Sequence, residues 1–139
     1  MADSVRVRPE ILDEMLAHAR REAHIECCGL LAGREGVITA IFPATNALAS
    51  PTRYEIAPRE LFELFRTFRE LGLTHLGQYH SHLASDNIPS STDIEQAGYP
   101  DHAYFIVTLR PDAPNPVRAF SIREGLVHEI TTVVVNPLE

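Results

Sequence analysis

The sequence predicts a single domain of the mixed α/β class, a central β-sheet flanked by helices. At 139 residues with 45% hydrophobic content, the chain can fill one core and has little left for a second. Two segments carry apolar residues at helical spacing, and several short apolar, partly β-branched runs are typical of strands. One run, 103–109, is apolar almost without interruption, as expected for an interior strand. We therefore expect residues 1–139 to form one domain.

The N-terminal part is predicted to contain one helix and one hairpin. Behind a short apolar opening at Val5 and Val7, Pro9 suits a first helical turn. Apolar residues then follow at helical spacing: Leu12, Met15, Leu16, Ala19 and Ala23. The runs 28–31 and 37–42 are apolar and separated by glycines, which predicts a hairpin.

The middle of the chain predicts a loop, a short strand and a second helix. The stretch 43–52 is small, polar and bounded by prolines, and 54–56 could form a short strand. Pro58 is suited to open a helix, and Gly72 to stop it. The face of this helix that we expect in the core consists of Leu61, Leu64, Phe65 and Phe68.

The C-terminal half predicts four further strands and a short helix. A strand over 73–79 precedes a loop that holds the polar cluster 80–93. Thr92 and Glu95 have the spacing of a capping box, which predicts a short helix beginning near Ser91. The strand over 103–109 and a hairpin formed by 117–122 and 126–135, turned at Glu124 and Gly125, complete the sheet.

Composition excludes several classes of function. Twelve arginines and no lysine, set against 19 acidic residues, give a net charge of −7. The negative charge disfavours nucleic acid as a partner, and the absence of lysine excludes a Schiff base or a P-loop lysine. No apolar run is long enough to span a membrane, and the start MADSVRVRPE has no apolar core of a signal peptide. We expect a cytoplasmic protein with no membrane partner.

The two cysteines, Cys27 and Cys28, are adjacent. Neighbouring residues on a strand point to opposite faces, so neither a disulfide between them nor joint metal ligation is easy. We expect both to be thiols of the core.

The segment GQYHSHLASDNIPSSTD carries the pattern most indicative of chemistry. His80 and His82, two apart on extended backbone, point the same way and could converge on one ion. Asp93 lies on the next element and could offer a carboxylate to the same ion. Two histidines and one carboxylate leave the fourth coordination position of Zn²⁺ open to water, which is typical of catalytic zinc sites. Asp86 is an alternative carboxylate ligand, but it lies in a small polar loop, where we expect its side chain to be exposed to solvent. Ser90 could cap a helix or donate a hydroxyl to an oxyanion.

These residues resemble the JAMM motif of the MPN-plus metalloproteases, whose domain is also called JAB. His80-Ser81-His82, seven residues, Ser90, two residues and Asp93 match the motif at each position. The family also has a glutamate upstream of a Cys-Gly-Leu-Leu-type sequence, and this chain has Glu26-Cys27-Cys28-Gly29-Leu30-Leu31-Ala32-Gly33. The resemblance extends over most of the chain and implies a three-layer sandwich similar to that of the cytidine deaminases.

The resemblance implies a role for each matched residue. His80, His82 and Asp93 would hold Zn²⁺, Glu26 would be the general acid and base, and Ser90 would support the tetrahedral intermediate. From the residues alone, Glu26 and Glu22 are equivalent candidates. Many relatives have proline after the second histidine, where this chain has Leu83; this difference bears on substrate fit more than on metal binding.

Three functions are compatible with parts of this pattern. Short stand-alone prokaryotic members of the family resemble enzymes that act at the C-terminal glycine of ubiquitin-like sulfur-carrier proteins, so we expect a zinc hydrolase that cleaves an amide at a Gly-Gly tail, as a monomer or homodimer. The alternative is a non-catalytic MPN scaffold, which retention of all five positions disfavours. A zinc nucleobase deaminase would need a Cys-x-x-Cys that is absent.

Overall fold

The computed structural model describes residues 3–137. Within that range the chain forms seven strands and three helices, and the predicted mixed α/β class is confirmed. The bounds are β1 Ser4–Val7, α1 Pro9–Arg21, β2 Cys28–Arg34, β3 Val37–Ala44, α2 Pro58–Leu71, β4 Thr74–His82, α3 Ser91–Gln96, β5 Ala103–Thr108, β6 Val117–Arg123 and β7 Leu126–Val134.

The strands form one mixed sheet that closes on itself. Their order is β1-β3-β2-β4-β5-β6-β7, and the short β1 pairs in parallel with both β3 and β7. The β4–β5 pair is also parallel, whereas the remaining neighbours are antiparallel. The sequence predicts a sheet with flanking helices but does not indicate this closure, because nothing in the four-residue segment Ser4–Val7 specifies two partner strands.

Side-chain alternation along β2 divides the apolar residues into two clusters. Leu31 packs into the larger cluster with the α1 residues Ile11 and Met15, whereas Leu30 joins the smaller cluster with Phe68 of α2. Successive residues of a strand point to opposite faces, so one strand serves both layers. The helices therefore cover the sheet as the predicted layers require.

Helix α1 ends two residues earlier than predicted. Its last helical residue is Arg21, and Ala23 lies outside it. Glu22 leaves the helical region at φ −115° and ψ 50°, and the Ile25 N–H donates to the Glu22 carbonyl at 3.2 Å. This turn directs the chain into β2.

The prediction of a strand at 54–56 is wrong. The segment is extended but forms no ladder, because the side chain of Asn46 takes the backbone partners that a strand would use. Its amide oxygen accepts from the Glu55 N–H at 3.2 Å, and its amide nitrogen donates to the Arg53 carbonyl at 2.9 Å. A propensity for strand was thus outweighed by the buried side chain of Asn46, eight residues before the segment.

Strand β4 extends three residues beyond the predicted boundary and ends at His82. The two motif histidines therefore lie on the strand rather than in the loop after it. The bounds of α2 and the hairpin turn agree with prediction: Gly72 ends α2 at φ 69°, and Glu124 and Gly125 turn β6 into β7 at φ 49° and 79°. Of the predicted core face of α2, Leu61, Leu64 and Phe68 pack in the smaller cluster, whereas Phe65 is exposed.

Among the helices of residues 3–137, none combines the length and apolarity needed to cross a bilayer.

Candidate metal centre

The C-terminal end of β4 presents two buried imidazoles. His80 and His82 are 3% and 4% exposed, and both project to one face because they are two residues apart on the strand. His80 lies opposite Cys28 on one neighbouring strand, and His82 opposite Thr108 on the other. The histidines are thus held by ladders on both sides.

Helix α3 brings the carboxylate to the same point. Ser90 is its N-cap: the Asp93 N–H donates to the Ser90 hydroxyl at 3.1 Å, and the Ser90 N–H donates to Asp93 Oδ2 at 2.9 Å. The capping box is therefore Ser90 with Asp93, and the predicted pairing of Thr92 with Glu95 is wrong. Both pairs have the same spacing, so the spacing alone does not distinguish them.

Three donor atoms converge at close range. His80 Nε2 and His82 Nε2 are 3.2 Å apart, and each lies 3.1 Å from Asp93 Oδ2. A tetrahedral ion with bonds of roughly 2.0 Å has edges of about 3.3 Å between its ligands. Two nitrogens and one oxygen at these separations fit Zn²⁺, and within residues 3–137 they are the group of side chains that could hold a metal ion.

The charges of the triad are coupled. Burial disfavours ionisation of Asp93, but hydrogen bonds from both imidazoles and from the Ser90 N–H outweigh it, so the pKa of Asp93 lies well below its usual range. Burial lowers the pKa of His80. Burial also disfavours the imidazolium of His82, yet its bonds to Asp93 and to the Asp86 carbonyl raise its pKa overall. An anionic carboxylate beside imidazoles is a suitable environment for a cation.

The ring of His82 is oriented by the loop that follows it. Nδ1 lies 2.7 Å from the Asp86 carbonyl oxygen, which only accepts, so Nδ1 carries a hydrogen and Nε2 can offer its lone pair to a metal. The Asp86 side chain is 61% exposed and pairs with Arg110 at 2.7 Å. Asp86 is therefore not the carboxylate of this cluster, and it contributes through its backbone.

Side chains near the end of β5 hold this loop in place. The Thr108 hydroxyl donates to the Ser85 carbonyl at 2.8 Å. The buried Asn87 amide donates to the carbonyls of Asn115 at 2.9 Å and of Ile106 at 3.3 Å. These bonds restrain the loop that begins at Leu83, the position at which many relatives have proline.

Glu26 lies beside the triad, on the backbone that leads into β2. The Ser81 N–H donates to the Cys27 carbonyl at 3.1 Å, and the Cys27 N–H donates to the Ser81 hydroxyl at 2.9 Å. This pairing extends the β2–β4 register by one residue and puts Glu26 opposite His82. Glu26 is 6% exposed, and burial raises its pKa to about 7, with His82 lowering it and Asp93 raising it.

Glu22 is engaged elsewhere. Its carboxylate lies 2.6 Å from His18 Nε2, and His18 Nδ1 lies 2.6 Å from the Tyr79 hydroxyl. The two glutamates, equivalent by sequence, are thus separated by tertiary structure.

A groove of about 240 Å³ adjoins the triad. Tyr54 stacks on the His80 ring, with centroids 4.6 Å apart and planes at 23°, and also lines the groove. Gln78, two residues before His80 on β4, is 7% exposed and lines it too, and its Nε2 has no hydrogen-bond partner in residues 3–137. The rest of the lining includes Leu30, Ile56, Leu61, Tyr99 and Tyr104. The sequence analysis did not identify Gln78 as a site residue, although its spacing of two from His80 on one strand is a signal that could have placed it here.

The two cysteines and the other five histidines lie outside the triad. Cys27 and Cys28 are free and buried, as predicted. His18 is buried, and His75 packs edge-on against His102 with centroids 4.3 Å apart. His24 and His128 are exposed.

Comparison with known proteins places this geometry in a family. Residues 8–123 match the model of the prokaryotic homologues of the JAB domain. The chain belongs to this prokaryotic JAB family.

Similar proteins support the assignment over nearly the whole chain. The CysO-cysteine peptidase of Mycobacterium tuberculosis is 36% identical over 132 residues, covering 94% of this chain and 90% of that protein. The desampylase of Haloferax volcanii is 39% identical over 101 residues, covering 68% and 73%. A solution structure from Desulfitobacterium hafniense superposes with a TM-score of 0.85 at 33% identity, covering 97% and 95%. The expected JAB enzyme of the hydrolase class is confirmed, which disfavours the scaffold alternative.

Proposed function

We propose that this protein is a zinc-dependent hydrolase that cleaves an amide bond at the C-terminal glycine tail of a ubiquitin-like or sulfur-carrier protein. The observation that carries the proposal is the convergence of two imidazole nitrogens and one carboxylate oxygen, 3.1–3.2 Å apart, beside a buried glutamate.

The metal would be held by His80, His82 and Asp93. Three protein ligands leave one tetrahedral position open, as in catalytic rather than structural zinc sites. When bound, zinc supplies Lewis acidity, which makes water a competent nucleophile at neutral pH. The Asp86 carbonyl fixes the His82 ring for this purpose.

Glu26 would move the proton. A general base works best when its pKa lies near the operating pH, and burial raises the pKa of Glu26 to about 7. It can accept a proton from the attacking water and return it to the departing amine. The Ser90 hydroxyl oxygen accepts from the Asp93 N–H, so its own hydrogen remains available to donate to an oxyanion.

The substrate assignment is supported by the groove and by the names of relatives. The CysO-cysteine peptidase and the desampylase are named for acting on conjugates of small carrier proteins. The described strands close into one sheet, in which β1 joins β3 to β7. In segment 54–56 the backbone groups of Glu55 are bonded to Asn46 and Ala47, so the backbone groups of Tyr54 and Ile56 are those with which a tail could pair.

The test combines metal analysis with a defined substrate. Zinc-loaded protein is incubated with a glycine-tailed carrier joined by an amide to an amino acid, and mass spectrometry follows release of the free tail. We expect stoichiometric zinc and cleavage after the last glycine. Zinc-loaded protein that leaves every such conjugate intact would refute the substrate, whereas failure to bind zinc would refute the metal centre.

A further inference from the structure

A second cavity lies at the other end of the closed sheet. Its volume is about 330 Å³, and its apolar wall includes Val5, Leu76 and Ile130, which pack against the main core. Leu76 and His82 are six residues apart on β4, roughly 20 Å at about 3.3 Å per residue. The cavity is therefore separate from the candidate metal centre.

Two residues that line this cavity each have a buried polar atom without a partner. Ser121 lines it, is 6% exposed, and its hydroxyl has no hydrogen-bond partner in residues 3–137. Arg123, two residues further along β6, also lines the cavity. Its Nε is buried and has no hydrogen-bond partner in residues 3–137. Buried polar groups are nearly always paired, so two unpartnered donors on one wall indicate a missing acceptor.

The rim of this cavity carries a positive charge, whereas the net charge of the protein is negative. Arg123 pairs with Asp101 at 2.7 Å. Arg6 also lines the cavity and donates to the backbone carbonyl of Glu35 at 3.0 Å, and within the described residues it forms no ion pair. One guanidinium charge is therefore left uncompensated at the rim of a chain whose formal charge is −7.

We propose that this cavity binds a small carboxylic acid with a short aliphatic chain. The carboxylate accepts from Arg6, Ser121 and Arg123, because its two oxygens provide about four acceptor positions. The aliphatic chain lies against the apolar wall. The volume lies in the range of small-molecule sites, which combine apolar lining with a few placed polar groups.

The binding test is a titration of the zinc-loaded, isotope-labelled chain with acetate, butyrate and hexanoate, followed by amide resonances. We expect saturable shifts centred on Gly36 and Ser121, which line the cavity, with affinity increasing by up to about fourfold for each methylene buried. Inorganic phosphate is the comparison. Absence of saturable shifts, or phosphate binding as tightly as hexanoate, would overturn the proposal.

Matched variants of β6 distinguish a site from general charge effects. Ser121→Ala and Arg123→Gln should each weaken hexanoate binding by about tenfold. Arg118→Gln is the control, because Arg118 is also a β6 arginine paired with one carboxylate but does not line the cavity. Equal weakening by Arg118→Gln would show that the effect is only long-range charge. Ser121→Ala adds no volume, and retained hydrolysis would show that the variant is folded.

Discussion

Glu26 shows how one residue can be prepared for proton transfer by its surroundings. Its backbone is fixed on both sides, since its N–H donates to the Ser50 carbonyl at 2.9 Å and its carbonyl accepts from the Asn46 amide at 2.9 Å. Burial makes the carboxylate less stable than in water, which brings its pKa to about 7. A carboxyl group in that range can both accept and donate a proton at neutral pH.

Replacing Glu26 with Gln should remove catalysis and leave metal binding intact. The amide retains the volume of the side chain but cannot accept the proton, so we expect kcat to fall by about 10²–10⁴-fold. Zinc content by elemental analysis should stay at the wild-type level. Glu22→Gln is the matched control, because Glu22 bonds His18. Full activity in Glu26→Gln together with loss in Glu22→Gln would reverse the assignment.

Gln78 is a residue-level determinant of substrate binding under the proposed function. Gln78 lines the groove, and its amide oxygen lies 3.3 Å from His102 Nδ1. Its amide nitrogen is buried with no hydrogen-bond partner in residues 3–137 and is available to donate to a carbonyl of an extended tail. Gln78→Met keeps the length and removes the donor, so we expect KM to rise about fivefold to tenfold with kcat nearly unchanged. Gln96→Met is the control, since Gln96 lines the same groove but is exposed. Equal KM values for Gln78→Met and the wild type would contradict this role.

At the scale of elements, β4 and its neighbours explain why the motif has its residue types. Gly29 lies opposite Tyr79 in the β2–β4 ladder, and a Cβ there would stand 2.4 Å from the tyrosine ring. Glycine is thus required for Tyr79 to reach His18. At the far end of β4, the strand delivers two imidazoles, and the capped helix α3 returns the carboxylate.

The loop after β4 is the element whose restraint can be tested. Asn87→Ala removes the donor that holds this loop to the Asn115 and Ile106 carbonyls, which should loosen the Asp86 carbonyl against His82. Loss of such indirect support lowers metal affinity by about 10–100-fold. The measurement is zinc competition against a chelator. Asn115→Ala is the control, because Asn115 participates through its backbone carbonyl alone, and an equal loss there would contradict the mechanism.

At the scale of the whole molecule, aromatic packing between α2 and the sheet makes stability depend on pH. His75 lies between the rings of Phe65, Phe68, Tyr99 and His102. Burial, with a contribution from His102, lowers its pKa from 6.5 to about 4. Above pH 6.5 the ring is neutral in both the folded and the unfolded chain, so it has no effect on the pH dependence there.

Below that pH the unfolded chain binds a proton at this position that the folded chain does not. The free energy of unfolding should therefore fall as the pH drops from 6.5 to about 4, and level off below about 4 for this group. His75→Phe should flatten the dependence in that window, measured by denaturant unfolding at several pH values. His128→Gln, at an exposed histidine, should not. An unchanged slope in His75→Phe would disprove the assignment.

The amino-acid sequence determined the class of the fold, most of the elements and the composition of the candidate centre. Those features rest on local information: apolar periodicity in α1 and α2, glycines at turns, and the fixed spacing of His80, His82, Ser90 and Asp93. The misjudged positions are those where hydrogen bonds that the local pattern does not specify decide. The Asn46 side chain and the Ala47 N–H bond the backbone of Glu55, and Ser90, not Thr92, caps α3 together with Asp93.

Tertiary structure alone decided how the sheet closes and which glutamate lies beside the triad of His80, His82 and Asp93. It also decided which buried polar atoms are left without hydrogen-bond partners. Glu22 and Glu26 are four residues apart and chemically identical; one is bound by His18 of α1, and the other is buried opposite His82. Local sequence specifies what a residue can donate or accept. Its pKa and its partner depend on the groups that long-range pairing brings around it, because desolvation and charge interactions act over distances in space and not along the chain.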